Sequence, residues 1–210
     1  MTYKLVVFDF DGTLADSFDW FLEVSDCMAD RHGFLRLDRE NLEALRSLSA
    51  REMIARQKIL AWKMPLIAGD MRRLMTEDLH RIRLFDGTGE MLERLKSAGL
   101  TLAVVTSNSE PNVRAVLGAE IASLIDHYGC GSSLFGKAPK LRKALKVCGV
   151  EGARALSVGD ELRDAEASRE AGLAFAGVSW GYTRAQALAP HAVMMFETPA
   201  DLGRRLAPGG

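Results

Sequence analysis

Short apolar runs recur along the chain: Leu5-Val6-Val7-Phe8, Leu102-Ala103-Val104-Val105, Ala155-Leu156-Ser157-Val158 and Ala174 to Val178. Being apolar on both faces, they suit strands buried in a parallel sheet. Helical spacing separates them: Met91, Leu92, Leu95 and Ala98; Val113, Val116 and Leu117; then Leu141, Ala144, Leu145 and Cys148, the cysteine acting as a small hydrophobe. Strand and helix alternate, which predicts an α/β fold with a doubly wound, Rossmann-like parallel sheet. Residues 17–84 interrupt the alternation. No strand-like run occurs there, only amphipathic stretches such as Phe18, Phe21, Leu22, Ser25, Met28 and Ala29. The pattern predicts a helix capped by Ser17 and ended by Gly33, with further helices opening at Asp38, Ser49 and Pro65. The expected organisation is a core of residues 1–16 and 85–210 with a helical insertion of residues 17–84 after the first strand.

Composition narrows the class. With 210 residues, 48% apolar and 26% charged, the chain is long enough for a packed core and unlike disordered or collagenous sequences. The longest uncharged runs, Ser97 to Ser109 and Ala171 to Thr183, fall short of the ~18 residues of a membrane helix, so no membrane role is expected. Only four apolar residues follow Lys4, too few for a signal-peptide core, and a cytoplasmic protein is expected. Cys27, Cys130 and Cys148 are odd in number and far apart, which argues against a disulfide or zinc framework. The 27 basic and 28 acidic residues nearly cancel, so no global field draws the protein to nucleic acid. A small-molecule partner is expected.

Ligands of an open parallel sheet bind at the carboxyl ends of its strands. The first run ends in Asp9-Phe10-Asp11-Gly12-Thr13, the second in Thr106-Ser107-Asn108, and the third in Gly159-Asp160-Glu161-Leu162-Arg163-Asp164. Asp9 and Asp11, two apart in extended backbone, share one face and repel, an arrangement that wants a cation; a polar turn is the plain alternative. Gly12 permits a sharp turn, and the Thr13 hydroxyl can steady it. Asp160 and Asp164 read either as helix N-cap and first-turn acid or, with Asp9 and Asp11, as hard oxygen ligands for Mg²⁺. Lys137 precedes the helix leading to the third run and reads alone as a solvated lysine among Lys140, Arg142, Lys143 and Lys146.

These four elements, in this order, resemble the haloacid dehalogenase superfamily of phosphatases across essentially the whole chain. The resemblance implies that Asp9 is the nucleophile and Asp11 the general acid and base, that Thr106 binds the phosphoryl group and Lys137 neutralises it. It implies a Mg²⁺ site of Asp9, the Asp11 backbone carbonyl and Asp160, with Asp164 in support. Gly12, Ser107 and Asn108 are further candidates for contact with the phosphate, Ser107 and Asn108 reading equally as turn residues. By position the insertion resembles the family's small helical cap, the layout of phosphoglycolate phosphatase and its near relatives, with Trp180-Gly181-Tyr182 also like theirs. Two departures stand out: Glu161 replaces a frequent Ser or Thr, and Ala138-Pro139 follows the lysine, leaving Lys140 as second candidate for its role.

The implied activity is Mg²⁺-dependent hydrolysis of a small phosphorylated metabolite through an aspartyl phosphate, in a monomer or homodimer. Asp11 argues against the superfamily's carbon–halogen and phosphonate hydrolases, whereas a sugar phosphomutase would keep both aspartates. A phosphorylated signalling receiver is a non-enzymatic alternative, but its acceptor follows the third strand and it lacks the insertion. Within the insertion Arg51 and Arg56 are candidates for an anionic substrate tail or a solvated face. Trp20, Trp62 and Trp180 are expected in the core or against the insertion. His32, His80, His127 and His191 show no ligand spacing and are expected in surface or capping roles.

Overall fold

The computed structural model of the protein describes residues 3–48, 50–131 and 136–208, with backbone alone at 50 and 51. Its elements in chain order are β1 (Leu5–Phe8), β2 (Ala15–Asp16), α1 (Phe18–His32), α2 (Leu42–Leu45), α3 (Ala50–Arg56), α4 (Met64–Glu77), β3 (Arg83–Leu84), α5 (Thr88–Ser97), β4 (Thr101–Val105), α6 (Glu110–Ser123), β5 (His127–Gly129), α7 (Ala138–Cys148), β6 (Ala155–Gly159), α8 (Leu162–Ala171), β7 (Ala174–Val178), α9 (Ala185–Leu188), β8 (Met194–Phe196) and α10 (Pro199–Leu206), with short 3₁₀ turns between some of them.

Six strands form one sheet in the order β5-β4-β1-β6-β7-β8, every pair parallel, with Leu5 of β1 level with Thr101 on one side and Ala155 on the other. The sheet is covered on both faces because β1 alternates: Val6 and Phe8 join one apolar cluster with Leu92 and Leu95 of α5 and Leu202 of α10, while Leu5 and Val7 join another with Leu141 and Ala144 of α7. This is the expected doubly wound sheet. The chain runs outward from β1 through β4 and β5 on one side and through β6, β7 and β8 on the other, so the carboxyl ends of β1, β4 and β6 flank the point where strand order reverses.

Strands β5 and β8 carry no run that marked them beforehand, being three residues long at the sheet edges. Between residues 17 and 82 the described residues are helical or irregular, and β2 and β3 pair antiparallel at the base of this segment, Asp16 level with Arg83. Helix α1 starts after Ser17 and ends at Gly33, whose φ of 66° suits the left-handed stop. The expected helix at Asp38 begins as a 3₁₀ turn, the Asp38 carboxylate accepting from the Glu40 amide, and Pro65 lies in the first turn of α4. The helix start expected at Ser49 lies outside the described residues.

Trp20 is buried and donates its indole N–H to Asp78, whereas Trp62 is 66% exposed, a correction to its expected place in the core or against the insertion. It lies on a 3₁₀ turn, its ring beside the Lys63 ammonium. His127, expected at the surface or in a cap, instead lies half-buried in β5. No helix among the described residues is long and apolar enough to cross a membrane.

Candidate active site

The site begins with the way β1 ends. Asp9 stays in the ladder, its amide donating to the Val158 carbonyl at 2.8 Å, and the chain then turns so that the Phe10 carbonyl accepts from Thr13, Leu14 and Ala15. Gly12 makes the turn at φ 78°, and a Cβ there would lie 2.3 Å from Asp160 Oδ2, so only glycine lets the loop lie against that carboxylate. Asp160 is fully buried at the end of β6 and does not cap α8. Glu161 takes the cap position, paired with Asp164 in a reciprocal box, so the N-cap alternative for Asp160 fails. Its oxygens accept instead from Thr13 Oγ1 and the Tyr182 amide, both at 2.8 Å.

Asp9, Asp160 and Asp164, all buried, each bring an oxygen within 4.8 Å of the others. Lys137 Nζ lies 2.8 Å from Asp9 Oδ1 and donates to Asp164 Oδ1 at 2.6 Å. Lys140, the second candidate, faces elsewhere: it donates to the backbone carbonyls of Thr106, at 2.9 Å, and Gly131, tying the ends of β4 and β5. The geometry therefore brings Lys137, and not Lys140, to the carboxylates.

Asp11 accepts from Ser17 Oγ at 3.1 Å and Asn108 Nδ2 at 3.2 Å. Ser17, read as a helix cap, makes no side-chain cap bond; its hydroxyl serves Asp11 and meets the Tyr182 hydroxyl at 2.8 Å. Thr106 is buried, its hydroxyl accepting from the Asn108 amide, while Ser107 is exposed on the same turn. From the insertion Met75 puts its sulfur 3.0 Å from Asn108 Nδ2, and Thr76 donates to Asn112. Arg56 is exposed beside a separate cavity of about 280 Å³ with Leu37, Leu45 and Met53, and the Arg51 side chain lies outside the described residues. A larger cavity of about 510 Å³, lined by Trp20, Phe85 and Trp180 at the base of the insertion, contains none of the four aspartates.

Burial and mutual repulsion govern the charges. Burial, joined by Glu161, Asp9 and Asp164, pushes the Asp160 carboxyl well above its ordinary range. Burial also raises Asp9, against the pull of Lys137. Asp11 is pushed up to about 6 by burial and then by Asp9, with Ser17 and Asn108 opposing. Glu161 also rises to about 6 through burial, opposed by Arg163, which grips it through Nε at 2.6 Å and Nη2 at 2.9 Å. Burial alone would lower Lys137, but Asp164 and Asp9 outweigh it and hold the ammonium. Fully ionised, three carboxylates against one ammonium would carry two excess negative charges in a buried, oxygen-only donor set, and the upward push on Asp160 and Asp9 is the mark of that excess. A hard divalent cation fits that deficit.

The model for haloacid dehalogenase-like hydrolases matches residues 6–178, spanning the turn at Asp9, the end of β4, Lys137 and the acids after β6. The chain belongs to this family. It is 32% identical over 201 residues to phosphoglycolate phosphatase of Synechococcus elongatus, covering 95% of each chain. It is 31% identical over 197 residues to N-acetylmuramic acid 6-phosphate phosphatase of Pseudomonas aeruginosa, covering 87% of this chain and 84% of that one. Among solved structures, a variant of CbbY from Rhodobacter sphaeroides in complex with xylulose-(1,5)bisphosphate superposes with a TM-score of 0.70 at 28% identity, over 96% of this chain and 97% of that one. A haloacid dehalogenase-like family protein from Streptococcus pneumoniae shares the fold with a TM-score of 0.79 at 19% identity, over 95% and 96%. Within the family the chain is phosphoglycolate phosphatase-like, a phosphoric monoester hydrolase.

Trp180-Gly181-Tyr182 completes this haloacid dehalogenase-like site. Trp180 donates its indole N–H to the Thr13 carbonyl, and a Cβ on Gly181 would stand 2.1 Å from Asp160 Cβ and 2.6 Å from the Gly12 carbonyl oxygen. Gly181→Ala should displace the loop from Asp160, lower phosphatase activity and cost about 1–3 kcal/mol. A thermal melt and a rate assay on the same preparation check both effects.

Proposed function

We propose that the chain is a Mg²⁺-dependent phosphatase that hydrolyses a small phosphorylated metabolite through an aspartyl phosphate on Asp9. The observation that carries this reading is the division between two neighbouring carboxylates. Asp9 lies in the charged cluster with Lys137 2.8 Å away, whereas Asp11 lies outside it, accepts only from neutral Ser17 and Asn108, and is held up to about 6. One group is kept for attack and the other for proton transfer.

Asp9 attacks phosphorus in line, forming a P–O bond to its carboxylate as the ester P–O bond breaks, while Asp11 gives its proton to the leaving alkoxide. Asp11 then takes a proton from the water that opens the acyl phosphate, and inorganic phosphate leaves. Lys137 and the Thr106–Asn108 turn receive the phosphoryl oxygens. Bound by Asp9, Asp160 and the Asp11 backbone carbonyl, with Asp164 in support, Mg²⁺ would cancel the site's excess negative charge and let a phosphate dianion approach. In this reading residues 17–84 form a cap that shuts the site from bulk water and restricts it to small substrates.

2-Phosphoglycolate and N-acetylmuramic acid 6-phosphate, the compounds for which the two curated relatives are named, each carry a carboxylate as well as the phosphoryl ester. They head the panel to assay, with a sugar bisphosphate in third place. Phosphate release should require Mg²⁺, fall to background in excess chelator and return when Mg²⁺ is restored. Full turnover in chelator would reject the metal assignment, and transfer of the phosphoryl group to a second sugar in place of water would make the protein a phosphomutase.

A further inference from the structure

Arg46, immediately after α2 in the insertion, lies outside every motif that marks the site. Its guanidinium nevertheless reaches the core loop after β7, where Nη2 donates to the Gly181 carbonyl at 2.7 Å and Nε to the Tyr182 carbonyl at 3.0 Å. The other ends of the same two peptide units are held by a single residue. The amide that follows the Gly181 carbonyl, that of Tyr182, donates to Asp160 Oδ2 at 2.8 Å, and the amide that follows the Tyr182 carbonyl, that of Thr183, donates to the Asp160 carbonyl at 3.3 Å. Two consecutive peptide planes thus bridge one arginine of the insertion to one buried acid of the core.

A planar peptide cannot turn its carbonyl without turning its N–H. A cation on the oxygen also polarises the unit and strengthens what the N–H donates. Arginine suits the place because its rigid fork meets two carbonyls at once, as a lysine ammonium cannot without distortion. The seat is otherwise secured: the guanidinium lies 5.3 Å over the Phe18 ring, the Arg46 carbonyl accepts from the Arg184 amide, and Glu43 pairs with both arginines, with Arg184 at 2.6 Å and with Arg46 Nη1 at 3.5 Å.

We propose that Arg46 is a positioning residue that sets the orientation of Asp160 through the Gly181–Tyr182 and Tyr182–Thr183 peptides, and so couples docking of the insertion to divalent-metal binding. This rests on the phosphatase reading above in taking Asp160 as a metal ligand. Metal affinity and seating of the insertion are then linked in both directions. Residues that orient metal ligands typically change metal affinity or activity 10- to 100-fold when removed; Arg46, one bond further out, should give about 3- to 10-fold.

The test uses the full chain and Mn²⁺ as probe, with free metal followed by its electron paramagnetic resonance signal in the absence of substrate. Arg46→Met should weaken Mn²⁺ binding about 3- to 10-fold, and Arg46→Lys should fall between it and the unsubstituted protein. Arg184→Gln breaks the pair with Glu43 but leaves Glu43 on Arg46 and the two peptide bridges, so its Mn²⁺ affinity should be unchanged. In turnover, Arg46→Met should raise the metal concentration for half-maximal rate by the same factor, and saturating metal should restore most of kcat. Unchanged Mn²⁺ affinity in Arg46→Met, with a thermal melt like that of the unsubstituted protein, overturns the proposal, as does an equal loss in Arg184→Gln. If Arg46→Met melts early, Arg46→Lys decides by the same criterion. Failure of the phosphatase reading looks different: the unsubstituted protein would itself release no phosphate with Mg²⁺ present.

Discussion

Asp9→Asn should abolish phosphoenzyme formation and reduce phosphate release by about 10⁴- to 10⁶-fold, the scale on which an enzyme loses its covalent nucleophile. The amide has the shape of the carboxylate but lacks the anionic lone pair that attacks phosphorus. The substitution should not unfold the chain. Asp9 is buried beside Asp164 and its carboxyl is already raised, so a neutral amide relieves repulsion, while Lys137 keeps its 2.6 Å bond to Asp164. The melting temperature of the metal-free variant should therefore equal or exceed that of the parent. Residual turnover within tenfold of the parent, or a phosphoryl label on a peptide without residue 9, would remove Asp9 from the proposed role.

Much of this arrangement was legible in the sequence, and the exceptions have physical causes. The runs at β1, β4, β6 and β7 announced themselves because those strands are buried on both faces. His127-Tyr128-Gly129 and Met194-Met195-Phe196 did not, because an edge strand of three residues needs only one neighbour and carries no periodicity. The acids after β1 and β6 were visible because strand ends are where α/β sheets place their chemistry. Ser17 shows the limit of local reading: it occupies the cap position that its type favours, yet its hydroxyl is spent on Asp11 and Tyr182, the latter 165 positions away. Arg46 left no signal, since its partners are backbone carbonyls about 135 positions distant and any residue supplies a carbonyl. Gly181 belongs to the Trp180-Gly181-Tyr182 tripeptide, but its reason, the absence of room for a Cβ against Asp160, exists only once β6 and β7 are side by side.

Asp11→Asn should separate two leaving groups that the parent handles alike. The variant keeps the proposed nucleophile, and its amide can be seated without rearrangement: Oδ1 accepts from Asn108 Nδ2, while the amide N–H donates to Ser17 Oγ, which then donates to Tyr182. Proton donation is lost, so esters of ordinary alcohols should slow by about 10²- to 10⁴-fold. A nitrophenyl phosphate leaves without a proton and should still phosphorylate Asp9. Water attack would then lack its base, and the covalent intermediate should accumulate as a mass increase on the peptide containing Asp9. The parent's pH profile carries the same signature. A general acid works only while protonated, so with Asp11 held up to about 6, kcat/KM for an alkyl ester should fall as pH rises above that value. The nitrophenyl substrate should not share that descending limb in its phosphorylation step, measured as the burst of nitrophenolate. Equal losses for both substrates in Asp11→Asn, with metal binding and melting temperature intact, would show that Asp11 holds the site together without moving a proton.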